Sequence, residues 1–360
     1  APGTTAGNPE NPDLKWEVTT MTNIGFDAAF LDNQITLSAE YYNNTSEDLL
    51  IPVNLAPSGV TTVATVTRNA GSVESKGFEF NLGYNDFEGA FQWSASLNLS
   101  TTENSIIELG GNEEQIVAGF EGSDIIRRAP GEPINHFFGY VVDGIFQSPE
   151  EILTSPFQDG AQPGDLKFVD ISGPEGVPDG VIDAFDRTKI GNPIPDVVLG
   201  LNLNASYKGI DLNVFINGSY GNDIYNTNRW DLEGGRRLFN AGVEALNAWT
   251  PENRNTDIPR LTADPRNLVG STRFVEDGSF TRLKNITLGY TFPERLTGKG
   301  ISKLRVYVSG QNLLTLTDYS GLDPEVGASS VVGNSTTWLG VDQGNYPIPK
   351  SFTCGVQVTF

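Results

Sequence analysis

The sequence predicts an all-β fold: a transmembrane antiparallel β-barrel with short periplasmic turns and long extracellular loops. Three observations predict it. Apolar and polar residues alternate with period two over runs of ten or more residues, longer than most strands of soluble sheets. Tight turns join these runs in pairs, while long connections separate one pair from the next, the asymmetry of outer-membrane barrels. The face opposite the apolar one is mostly polar, as a wall between lipid and a wet or filled interior requires.

The elements follow in order. From Trp16, one parity reads Trp16, Val18, Thr20, Thr22, Ile24, Phe26, Ala28, Phe30, and the other Glu17, Thr19, Met21, Asn23, Gly25, Asp27, Ala29. The turn Leu31-Asp32-Asn33 leads into Ile35, Leu37, Ala39 and Tyr41, alternating with Thr36, Ser38 and Glu40, a hairpin pattern. Phe78, Phe80, Leu82 and Tyr84 lead through Asn85–Gly89 into Phe91, Trp93, Ala95, Leu97 and Leu99. Val197 to Tyr207 leads through Lys208-Gly209 into Leu212, Val214 and Ile216. Ile286, Leu288, Tyr290 and Phe292 lead into Leu304, Val306 and Val308, and the last run is Phe352, Cys354, Val356, Val358, Phe360. Aromatics such as Trp16, Phe30, Tyr84, Tyr207, Tyr290 and Phe292 stand near run ends, where interfacial girdles belong. The long connections are read as 100–135, 144–195, 221–278 and 313–350. A soluble β-sandwich or propeller also alternates, but run length and the persistently polar face favour the barrel, and no constant repeat supports a propeller.

Composition narrows the function. The 360 residues carry a net charge of -22, which leaves no basic stripe for nucleic acid and disfavours docking on an anionic membrane surface. There is one Cys, Cys354, and one His, His136, so neither a disulfide framework nor a Cys/His zinc site can form within the chain. No run reaches the ~18–20 apolar residues of a membrane helix, which leaves barrel strands untouched. The opening APGTTAGNPENPDLKWE reads as a loop, and the start is expected to be an internal point of a longer precursor.

The sharpest local constellation is VDISGPEGVPDGVIDAFDR, Val169 to Arg187. Its second half fits a calcium loop, with Asp179, Gly180, Asp183 and Asp186 in register and Asp170 as first ligand across an insertion. The alternative is an acidic turn whose carboxylates accept backbone N–H groups. His136 is read as a wall or loop residue, since a lone His lacks a nucleophile partner. Trp249 either stacks on a sugar or packs a loop. Cys354 shares the parity of Val356 and Phe360 and is expected to face lipid or a packed wall. No convergent acid–base or nucleophile set can be named, so no enzymatic activity is expected.

Taken as a set, NPDLKWE (11–17), GSVESKGFEFNL (71–82), INHFFGYVVDGIF (134–146), PGDLKFVDISG with PDGVIDAFDRTKIGNPIPD (163–196), YKGIDLNVFINGSYGNDIYN (207–226), AWTPENRNTDIPRL (248–261), FVEDGSFTRLKNITLGYTFP (274–293), LRVYVSGQNLLTLTDYSGLDPEV (304–326) and YPIPKSFTCGVQVTF (346–360) resemble SusC/RagA-type TonB-dependent transporters of Bacteroidota. The resemblance covers nearly the whole chain in collinear order. It implies the C-terminal half, ten to twelve strands, of a 22-stranded barrel, with the plug and N-terminal domains lying outside residues 1–360. It further implies uptake of oligosaccharide, glycan or peptide under a SusD-like surface lipoprotein, and TonB contact through the missing N-terminal region. Val356, Val358 and Phe360 then form the C-terminal signal for the barrel-assembly machinery. The acidic loop departs from the family's D-x-N-G-D-G form by its insertion. Long loops on a rigid scaffold carry specificity, so Tyr225, Trp230 and Trp249 are expected to touch substrate or lid. The rival reading is a passive porin or an outer-membrane scaffold.

Overall fold

A computed structural model describes residues 11–54, 65–111, 114–235, 240–296, 300–327 and 336–360. Nine strands form one antiparallel wall: β1 (Val18–Phe30), β2 (Ile35–Asn54), β3 (Thr65–Asp86), β4 (Phe91–Thr101), β5 (Val197–Tyr207), β6 (Ile210–Tyr220), β7 (Phe280–Thr291), β8 (Lys303–Thr317) and β9 (Ser351–Thr359). Each pairs with the next in that order. A further segment, Glu103–Leu109, prolongs β4 along the same edge of β3. With that segment the sheet counts ten strands, nine of them in one continuous path, and the strand-like stretch around His136 lies outside it.

Register explains the alternation. Leu37 pairs Leu82, Leu82 pairs Leu97, Leu97 pairs Leu201 and Leu201 pairs Ile216. Parallel rows run Ala205–Leu212–Leu288–Val308–Cys354 and Tyr207–Ile210–Tyr290–Val306–Val356. One face is therefore a continuous apolar band, and its large residues stay exposed in the isolated chain: Ile24 69%, Phe352 79%, Val356 66%. Burial by lipid accounts for such a band, whereas a soluble sheet would cover it with a second layer. Cys354 is exposed on this face, beside Val356 and Val358.

The opposite face is an amide and hydroxyl lattice. Asn213 donates to both Asn202 and Asn204, Asn204 donates to Ser94, and Thr287, Ser309 and Asn285 bond one another. Polar groups that satisfy each other in this way suit the lumen side of a barrel wall.

The turns obey local chemistry. Lys208 and Gly209 both take positive φ, +48° and +88°, the two-residue hairpin turn whose twist suits antiparallel strands. Leu31, Asp32 and Asn33 are left-handed as well. The turns 31–34, 87–90 and 208–209 lie at one end, and the connections 102–196, 221–279 and 318–350 leave from the other. The sequence divided the first long excursion in two; it is one connection, 102–196, holding the short strands Gln115–Phe120, Ser123–Arg128, His136–Tyr140 and Arg187–Gly191 as a four-stranded sheet.

Candidate functional site

The best-packed part of the chain is the cap formed by its long loops, not its wall. Ile125, Ile126, Phe137, Tyr225, Trp230, Leu268, Phe274, Trp338 and Val341 form one buried cluster, drawn from 102–196, 221–279 and 318–350. Strands from two of these loops share a sheet, Val275–Asp277 with Asp223–Asn226 and the latter with Val341–Asp342. The first and second loops are sewn together by Tyr140 N–H to Gly270 O, Gly270 N–H to Ser123 Oγ and Val142 N–H to Thr272 Oγ1. Contiguous apolar burial of this kind makes the three loops one cooperative unit.

The aromatics expected at a substrate or lid surface belong to this packing. Tyr225 is 1% exposed and Trp230 3%. Tyr225 lies between Phe137 and Phe274, and Trp230 meets Phe120 edge-on while its Nε1–H donates to Leu268 O. Burial raises the Tyr225 phenol pKa well above its ordinary value. Trp249 packs with Ile145, Leu166 and Phe168 and donates from Nε1 to Gln147 Oε1 at 2.9 Å. A Cβ on Gly164, whose φ is +89°, would stand 2.4 Å from the Trp249 ring, so only glycine fits there.

The acidic loop is closed by its own carboxylates. Asp186 accepts from Ile171 N and Ser172 N on Oδ1 and from Asp183 N on Oδ2. Asp183 caps the short 3-10 turn Ala184–Asp186 through Phe185 N, Asp179 accepts from Val181 N, and Asp170 accepts from Gly180 N. Among the described residues, no group of three or more His, Cys, Asp or Glu is placed to hold a metal. The donor set therefore does not form the six- to eight-oxygen cage that calcium takes.

His136 is fully buried in the cap. Its Nδ1–H donates to Pro133 O, and Nε2 accepts from Arg127 Nε, which fixes the neutral tautomer. Burial first, then the Arg127 charge, holds its pKa below 6.5.

Two charged anchors were invisible in the sequence. Asp165, fully buried, accepts two bonds from Arg260 and one from Asn267, whose Oδ1 in turn accepts from Leu166 N. Arg282, on the lumen side of β7 and 1% exposed, donates to Asp323 and Glu325 at 2.6 Å each, and Lys284 joins Glu325 at 2.9 Å. This second cluster ties the β8–β9 loop to the wall. Burial alone would raise the Asp323 pKa, but Arg282 and the amides of Glu325 and Ile348 outweigh it and hold the group below 3.8.

Beside that tether lies a cleft of about 710 Å³ lined by residues of the second and third loops, within the size range of ligand sites. Its floor is the helix Thr227–Glu233, capped by Asn226. Arg229 is held by Glu233 at 3.0 Å and lies 3.7 Å from both Asp257 and Glu276. Burial lowers its pKa, yet these carboxylates raise it more and leave it above the ordinary guanidinium value. Glu233 also binds Arg273, which burial brings down to about 10 despite that partner. Glu276 takes Asn226 Nδ2 and both the amide and the hydroxyl of Ser320, linking the two loops across the cleft.

Fold and cap together define a class: a β-barrel wall carrying a folded loop domain over one rim. The model of the TonB-dependent receptor-like β-barrel matches residues 1–131. TonB-dependent receptor P3 of Formosa agariphila is 37% identical over 97% of this chain and 35% of its own length. TonB-dependent receptor SusC of Bacteroides thetaiotaomicron is 30% identical over 97% of this chain and 32% of its own. The RagAB peptide transporter structure superposes with a TM-score of 0.80 and 26% identity, over 99% of this chain and 37% of that one. The chain thus spans about a third of the length of the relatives it matches. It belongs to the SusC/RagA-type TonB-dependent receptors, of which it forms barrel wall and loop domain.

Proposed function

We propose that this chain is wall and extracellular cap of an importer in the outer membrane of a Gram-negative bacterium. The import is TonB-dependent and serves nutrient uptake, of oligosaccharide or peptide. A SusD-like surface lipoprotein delivers cargo onto the cap, TonB supplies the energy for import, and the wall provides a fixed frame. The carrying observation is the in-register, two-faced wall with three loops packed into one domain above a single rim, an arrangement shared with the RagAB transporter over 99% of the chain. A two-faced wall alone would also suit a porin; a rigid cap suits a channel whose entrance is governed by a partner.

The test uses the intact gene in its host. Deleting TonB or the neighbouring lipoprotein should abolish uptake at low substrate. Uptake that persists without TonB and grows linearly with substrate concentration would establish the porin instead.

A further inference from the structure

The importer reading leaves the cargo's chemistry open, and the cleft in the cap bears on it. The inward-facing groups are unequal in charge. Arg229 is engaged by Glu233 and donates to Arg273 O. Besides Glu233, which also binds Arg273, the cleft is lined by Glu244, Asp257 and Glu276, of which Asp257 is 81% exposed at its side chain. Asn226, Asn228, Asn247 and Ser320 add amide and hydroxyl groups, and Leu232, Ile258 and Leu322 supply apolar patches. Among the described lining residues there is no Trp, Tyr or Phe. The aromatics nearby in sequence, Tyr225, Trp230 and Trp249, are enclosed in the packed clusters.

The surroundings reinforce this imbalance. The connections 102–196, 221–279 and 318–350 hold 31 Asp and Glu against 13 Lys and Arg. They therefore carry 18 of the chain's 22 excess negative charges. A field of one sign focused by a concave site raises the local concentration of the opposite charge.

We infer that this cleft binds a cationic peptide segment: a Lys or Arg side chain beside Asp257, Glu244 and Glu276, with the ligand's backbone amides meeting Asn226, Asn228, Asn247 and Ser320. The inference rests on the import reading and narrows its cargo from oligosaccharide or peptide to basic peptide. The volume holds two to three residues rather than a folded partner, by comparison with ordinary ligand sites of about 300–1,000 Å³. Leu232 and Leu322 contact the aliphatic stem of a bound lysine while its ammonium reaches the carboxylates.

The test is calorimetric binding to the purified full-length receptor in detergent, with no TonB present. The probes are a tetrapeptide containing two lysines, the same peptide with both lysines Nε-acetylated, and a neutral gluco-oligosaccharide. The lysine peptide should bind at least ten-fold tighter than its acetylated form, and more weakly as salt rises. E244Q/D257N should weaken it about five- to ten-fold, the effect of two exposed charge contacts. E108Q/E175Q removes the same charge from a distant part of the cap and should leave affinity unchanged, with heat-modifiability on gels confirming that both variants fold. Equal affinity for lysine and acetyl-lysine peptides overturns the inference, as does displacement of the peptide by the oligosaccharide or an equal loss in both double variants. Lost peptide binding with TonB-dependent uptake intact would sink this inference alone; binding intact with TonB-independent uptake would sink the importer reading alone.

Discussion

Replacing Arg282 with Met tests whether the cap is anchored to the wall by charge. The Arg282 side chain is 2% exposed, and it faces Asp323 at 10% and Glu325 at 25%. Removing one member of a buried ion pair costs about 3–5 kcal/mol, because the partner carboxylate stays behind without its cation. Two compensations place the loss at the lower end. Lys284 still holds Glu325 at 2.9 Å, and Asp323 still accepts from Glu325 N and Ile348 N. A loss of about 3 kcal/mol corresponds to roughly a hundred-fold more frequent opening of the tethered loop. Hydrogen exchange by mass spectrometry on the full-length protein reads this as faster exchange across 318–327, with the β5 and β6 amides unchanged. Adding D323N to R282M should recover part of the protection, since the stranded charge goes with its partner. The pH dependence has a defined sign. The depressed Asp323 pKa contributes stability that is complete above the ordinary carboxylate value and lost as pH falls through the folded one. Protection should therefore hold from neutral pH to about 4 and decline below it. Unchanged exchange in R282M, or a loop that loosens as pH rises instead, would refute the anchor.

Other outcomes follow from the same geometry. Trp230→Ala removes a 3% exposed ring and should destabilise the cap by about 3–5 kcal/mol, seen as protease cuts in 221–279 while the barrel keeps its heat-modifiable gel shift. Leu201→Arg, on the lipid face between Leu97 and Ile216, should cost about 2–4 kcal/mol of barrel stability in urea; Asn202→Arg, one residue away on the lumen face, should cost far less. Tyr319→Phe deletes the 2.6 Å bond to Asp342 and should lower cap stability by about 1–2 kcal/mol, with the rest of Asp342's bonds, from Gly344 N and Asn345 N, intact. Chelator should leave exchange across 165–191 unchanged, because backbone amides occupy the carboxylates of that turn; a slowing of exchange on added calcium would count against this.

The wall was legible because lipid imposes a rule on every second residue. Leu97, Leu201 and Ile216 announce their face without knowledge of their partners, and the Lys208-Gly209 turn fixes the register between β5 and β6. The cap obeys no such rule. Asp165 and Arg260 are 95 positions apart, and Arg282 and Asp323 are 41 apart; a carboxylate in a Gly- and Pro-rich loop looks the same whether it meets water or a guanidinium. Tyr225, Trp230 and Trp249 were expected to touch substrate or lid because long loops on a rigid scaffold carry specificity, with loop packing as the other reading of Trp249; the groups that enclose them come from other loops. His136 was read as a wall or loop residue, and the loop alternative holds: its strand of five residues, His136–Tyr140, suits the small sheet of the cap rather than a membrane crossing.

The distribution of packing also determines which part of the cap can move. Loops two and three share the Tyr225–Phe274–Val341 cluster and a common sheet, so neither swings alone without exposing that apolar surface. The contacts between cap and wall are mixed: the first loop joins the wall through an apolar cluster of Ile51, Ile106 and Leu109, and the third through the Arg282, Lys284, Asp323 and Glu325 charges. Apolar burial is lost steeply as surfaces part, while ion pairs exchange protein partners for water with a small net change when they lie near an aqueous mouth. A load on the third loop therefore meets the ionic tether where that loop joins β7. The segment beside it carries Ser320, Gly321 and Leu322, the wall of the cleft opposite the helix Thr227–Glu233, and Ser320 is also held there by Glu276. Opening the cleft therefore requires both the tether and the Ser320–Glu276 bonds to part.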